Sequence, residues 1–146
     1  MLEELLLLEY ENPEYLKTLD SVLKSNIDKL NYSFSQLLQK WISDTCSQAN
    51  LEEKEAILAM VESLCLEIFQ FPGEKLSNFL EIVIVGLETI LRFRTRDTFP
   101  KKRAEILNFL AHAYRERIRG NKAENIEQEI TCLNHALKTY AQKKHL

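Results

Sequence analysis

Chain breakers are scarce in this sequence: 146 residues include three glycines and three prolines. Tight turns and hairpins draw on both residue types, so their scarcity argues against a strand-rich fold and for long helices. It also excludes a glycine-rich phosphate cradle, and neither a GxGxxG nor a P-loop pattern occurs. Cysteine is equally sparse. Cys46, Cys65 and Cys132 are odd in number, form no CxxC, and each sits inside an apolar-periodic segment, the pattern of buried thiols in a reducing compartment. No stretch approaches the ~20 apolar residues of a membrane span. The opening MLEELLLLEY has Glu3 and Glu4 where a secretory signal would be basic. Leu2 to Leu8 therefore reads as the start of an amphipathic helix packing on the domain or on a second copy. No membrane is expected, and the reading is a cytoplasmic protein.

What remains is ordinary globular material, 45% hydrophobic and 28% charged. This length suits one domain, 1–146, burying roughly 68–70% of its unfolded surface. Apolar residues recur at helical spacing along the chain. Asn12-Pro13 opens a helix to about Leu30, with Leu16, Leu19, Leu23, Ile27 and Leu30 on one stripe. Ser33 and Gln36 have capping-box spacing ahead of the stripe Phe34, Leu37, Leu38, Trp41, Ile42 and Thr45. Asn50 and Glu53 repeat that signature before Ile57, Met60, Val61, Leu64 and Ile68. Further helices are expected over about 78–95, 100–118 and 124–142. The β-branched run EIVIVG invites a strand, but Leu80, Val83, Ile84, Leu87 and Leu91 carry a helical stripe through it. The expectation is an all-α antiparallel array of about six or seven helices.

An internal repeat supports that architecture. Shifting the chain by 46 residues sets Leu80 over Ile126, Ile84 over Ile130, Leu87 over Leu133 and Leu91 over Leu137, so these are expected to be equivalent core positions. Each copy reads as a glycine turn followed by a helix. Residues 1–70 then supply amino-terminal helices, 71–99 a degenerate half-repeat, and 100–146 a helix pair. Within that pair Leu110-Ala111, Tyr114, Leu133 and Ala136 resemble the tetratricopeptide repeat, with Leu107 and Glu129 departing from its consensus. FPKKRAEILNFLAHAYRERIRGNKAENIEQEITCLNHAL is similar to the extended repeats of cyanobacterial tetratricopeptide proteins, many of which carry a CHAT protease domain. That domain is absent from this sequence. The segment from Asn26 to Phe99 resembles the helical region preceding such repeats. The resemblance implies a short helical-repeat module that binds protein partners. It places Glu105, Asn108, His112, Arg115 and Glu116 on a groove surface, opposite Ile106, Leu107, Leu110, Tyr114 and Ile118. A plain solvated face predicts the same polar pattern.

Charge is segregated along the chain. Residues 1–91 hold 6 basic and 16 acidic side chains, whereas 92–122 hold 10 and 3. The basic group includes Arg92, Arg94, Arg96, Lys101, Lys102 and Arg103, with Arg115 and Arg119 further along. Three uses compete: pairing with acidic helices within the fold or between copies, recruiting an acidic protein or peptide, or contacting nucleic-acid phosphates. The net charge of −3 and the few nearby aromatics count against nucleic acid. No catalytic constellation emerges. Cys132 and His135 lie three apart on one predicted helix without further metal ligands, and His112 with Glu116 is a common i, i+4 surface pair. No cofactor, metal or enzymatic activity is expected. The function class is an adaptor or scaffold that binds another protein or peptide, with homodimerisation through Leu2 to Leu8 as a further expectation. The alternative is a regulatory nucleic-acid-binding domain using 92–122.

Overall fold

The computed structural model describes residues 15–70, 77–94 and 99–144, and these form six α-helices with no strand among them. They are α1 (Tyr15–Ser25), α2 (Tyr32–Gln48), α3 (Leu51–Phe69), α4 (Ser77–Phe93), α5 (Pro100–Glu116) and α6 (Lys122–Lys144), with a 3-10 turn at Ile27–Lys29. The all-α expectation holds. Leu2 to Leu8, Asn12-Pro13, residues 71–76 with the glycine turn expected before the first repeat copy, and Arg96 lie outside the described residues.

Local chemistry sets the helix starts. Asn50 caps α3: its side-chain oxygen accepts from the Glu53 amide at 2.8 Å, and its side-chain amide, in place of the backbone N–H of a capping box, donates to the Glu53 carboxylate at 2.5 Å. At α2 the cap is Asn31 and not Ser33, because the Asn31 side-chain Oδ1 accepts from the Phe34 amide at 3.1 Å. Pro100 occupies the first turn of α5. Gly120 turns the chain between α5 and α6 at φ +84°, in the left-handed region glycine tolerates. Asn121 then accepts from the amides of Ala123 and Glu124 at the start of α6. The first predicted helix breaks earlier than its apolar stripe suggests: α1 stops at Ser25, Ile27 is exposed, and Asn26 turns back to donate to the Val22 carbonyl at 2.8 Å.

The centre of the fold is α4, which packs against α2, α3 and α5. Phe79, Leu80, Ile82, Val83, Ile84, Leu87 and Ile90 are all buried, so apolar side chains cover it nearly all round. That explains why EIVIVG is helical: its β-branched residues are enclosed by neighbouring helices, and tertiary burial outweighs strand propensity. Closest approach falls at Gly86, where an added Cβ would collide with Cys65 Sγ of α3. Leu38, Ile42 and Cys46 of α2 and Leu58, Val61, Leu64, Cys65 and Ile68 of α3 complete this core. Relative to the predicted stripes, Leu37 is exposed while Cys46 is buried, and Ile57 and Met60 are partly open while Leu58 is closed.

The last helix, α6, is different. It packs chiefly on α5 and buries small side chains there, Asn125, Cys132, Ala136 and Thr139. The 46-residue shift does superpose helix on helix, α4 on α6, but not core on core. Leu80, Ile84 and Leu87 are 0–5% exposed, whereas Ile126, Ile130, Leu133 and Leu137 are 38–65% exposed. The reason is positional: α4 has neighbours on three sides, and α6 sits at the edge of the array.

Candidate protein-interaction face on the last hairpin

Five residues of the basic segment, Arg94, Lys102, Arg103, Arg117 and Arg119, are engaged within the molecule. Arg94, assigned by sequence to a basic surface, is 0% exposed and belongs to the interior. It donates to Glu62 Oε2 at 2.7 Å and Glu55 Oε1 at 2.9 Å, both on α3. Lys102 of α5 reaches the same Glu55 oxygen at 2.7 Å. Arg103 Nη1 donates to the carbonyls of Leu91 and Arg94 at 2.7 and 2.6 Å, satisfying acceptors that the end of α4 leaves open. Burial works to raise the Glu55 carboxyl, yet hydrogen bonds from Lys102 and Arg94, with their charges, hold it below its ordinary value. The acidic α3 and the basic segment thus fasten α3, α4 and α5 together.

A second latch joins α4 to the turn before α6. Arg117 grips the Glu81 carboxylate with two groups, Nη2 to Oε1 at 2.8 Å and Nε to Oε2 at 3.0 Å. The hydrogen bonds to Glu81 raise the Arg117 guanidinium above its ordinary value, against the opposing effect of burial. Asn125 accepts from Arg117 at 3.3 Å and donates to the Arg119 carbonyl at 2.9 Å, fixing the start of α6. Arg119 donates to Asn78 at 2.5 Å. The Tyr114 hydroxyl donates to Glu88 across the α4–α5 contact, and burial, with that bond, keeps the phenol protonated far into the alkaline range.

What stays on the surface is therefore a smaller set. His112, Arg115 and Glu116 are exposed on α5, while Glu105 and Asn108 are half-buried. Arg92 and Lys101 are exposed near the other end of α5. Ile118, expected on the apolar side, is 65% exposed. His112 and Arg115 line a narrow cleft with Glu129 and Leu133 of α6. Arg115 and Glu129 also border a separate groove of about 470 Å³ with Arg117, Ile118 and Ile126. Glu129 points its Oε2 into a buried position with no hydrogen-bond partner among the described residues. Beside this groove Ile126, Ile130, Leu133, Leu137 and Tyr140 form an exposed apolar row along α6. Sequence periodicity had assigned the first four to the core, because a stripe covered by its own fold and one left open have the same spacing.

Chemistry elsewhere is sparse. The three cysteines are free and buried. Burial pushes Cys65 up to about 12 and Cys132 up to about 11, so neither is a thiolate nucleophile at neutral pH. Among the described residues no cluster of three or more metal-ligating side chains occurs, Cys132 and His135 included, and no helix is long and apolar enough to cross a membrane. Comparison with family models, curated proteins and solved structures finds no match for this chain.

Proposed function

We propose that this chain is a protein-interaction module, an adaptor or scaffold without catalytic activity of its own, that binds a protein partner on its carboxy-terminal hairpin. The observation that carries the reading is the row of five large apolar side chains left open on α6. Contiguous apolar surface rimmed by polar groups is the usual mark of a docking site. The likeness of Leu110-Ala111, Tyr114, Leu133 and Ala136 to a tetratricopeptide hairpin supports the same class of function. Three buried free thiols suit a reducing compartment such as the cytoplasm.

The alternative, nucleic-acid binding through 92–122, has less to work with. Arg94, Arg103, Arg117 and Lys102 already hold carboxylates or carbonyls of this chain, and each would have to be released before it could meet a phosphate. Site-directed photocrosslinking separates the two. Benzoylphenylalanine in place of Ile126 is expected to yield a protein adduct that survives nuclease, while the same probe in place of exposed Lys40 on α2 yields none. A nuclease-sensitive adduct, or equal crosslinking at both sites, would overturn the proposal.

A further inference from the structure

We infer that the open row on α6 is the interface of a homodimer in which α6 lies antiparallel against α6 of a second copy. This rests on the reading of the hairpin as an interaction face and names its occupant. Ile126, Ile130, Leu133, Leu137 and Tyr140 follow one another at spacings of four, three, four and three, the alternation that makes the seam of a two-helix coiled coil. They are 38–65% exposed in the single chain. The seam lies about a quarter turn around the helix from Asn125, Cys132, Ala136 and Thr139, which face α5. A second helix can therefore seat on the row without displacing any contact within the chain.

Charge selects both the occupant and its direction. On the open flank of the seam the acidic side chain, Glu127, lies in the first half of α6 and the basic one, Lys138, in the second. A parallel pair would set acidic side chain beside acidic side chain. An antiparallel pair sets each acidic side chain beside a basic one, so the flank is complementary to its own reverse. The two-fold axis then passes close to Leu133, the middle residue of the row. Ile126 comes opposite the partner's Tyr140, and Ile130 opposite the partner's Leu137. Exposed Glu127 and Lys138 share one flank of the seam, and an antiparallel two-fold keeps that flank on the same side, bringing Glu127 within reach of the partner's Lys138. Such an interface is isologous and closes at two copies.

Analytical ultracentrifugation of the full chain, from nanomolar to high micromolar, provides the test. The expected result is a monomer–dimer equilibrium. Ile130→Glu and Leu137→Glu should each weaken it by about 100-fold or more, with unchanged helical content by circular dichroism. Glu127→Lys and Lys138→Glu should each weaken it by roughly 3- to 10-fold. The double variant Glu127→Lys/Lys138→Glu should recover most of the loss, because both charges are exchanged across the two-fold. A chain that stays monomeric at every concentration, one that grows beyond a dimer, or a double variant no better than its parents overturns the homodimer. In that event the Ile126 crosslink distinguishes the two ideas: an adduct to a different protein preserves the interaction face, and no adduct removes both.

Discussion

Replacing Arg94 by methionine tests whether charge burial fastens α3 to α4. The guanidinium is fully enclosed and holds Glu55 and Glu62, which are themselves 18% and 17% exposed. Breaking a buried pair by deleting one partner costs about 3–5 kcal/mol, chiefly because the surviving charge is stranded. Both carboxylates keep some water and Lys102 still reaches Glu55, so the expected loss for Arg94→Met is about 2–4 kcal/mol. With a urea slope of about 2 kcal/mol/M, the unfolding midpoint should fall by about 1–2 M. The network is also incompletely satisfied: Arg94 Nε and Glu55 Oε2 are buried without hydrogen-bond partners among the described residues. Each such group costs about 1–3 kcal/mol. An apolar replacement on both sides, Arg94→Met/Glu62→Met, should therefore restore at least half of the loss. A drop below about 1 kcal/mol for the single variant, or no recovery in the double, would refute this account of the α3–α4 contact.

The same network makes stability acid-sensitive. Glu55 is held below its ordinary value in the folded chain, so its contribution is complete above the unfolded value near 4.5 and disappears as pH falls through the folded one. The gap in unfolding midpoint between wild type and Arg94→Met should accordingly narrow below pH 4.5, and a gap constant with pH would contradict the assignment. Gly86→Ala should cost about 1–3 kcal/mol, because the new methyl group meets Cys65 Sγ; in the Gly86→Ala/Cys65→Ala background most of that penalty should vanish, measured as a double-mutant cycle. Tyr114→Phe leaves the Glu88 carboxylate without its phenolic donor and should cost about 1–3 kcal/mol by thermal unfolding. Cys46 and Cys65 should resist a thiol reagent in the native chain and react on the timescale of unfolding; rapid native labelling would show that the α2–α3–α4 core is looser than described.

Several local features of the fold are legible in the sequence. The Asn50–Glu53 cap, the Pro100 start and the Gly120 turn are local, because each depends on atoms within four residues, and sequence spacing is enough to see them. EIVIVG was readable as helix because its stripe continued on both sides. The partners of the arginines were not readable. Arg94 and Glu62 are 32 residues apart and Arg117 and Glu81 are 36 apart, and nothing in a linear charge count tells which carboxylate a guanidinium will meet. Segregation of charge along the chain is visible, and pairing within the fold is one of the uses it suggests; which residues pair is not visible.

The helical character, the Gly120 turn and the helical spacing of the apolar residues follow from this sequence alone, since they rest on backbone geometry and short-range steric and capping effects. Tertiary structure decided which stripes are covered. Leu87 and Leu133 occupy equivalent places in two similar helices, yet one is wholly buried and the other is 38% exposed. Burial belongs to the neighbours of a residue, and α4 has helices around it where α6 has solvent.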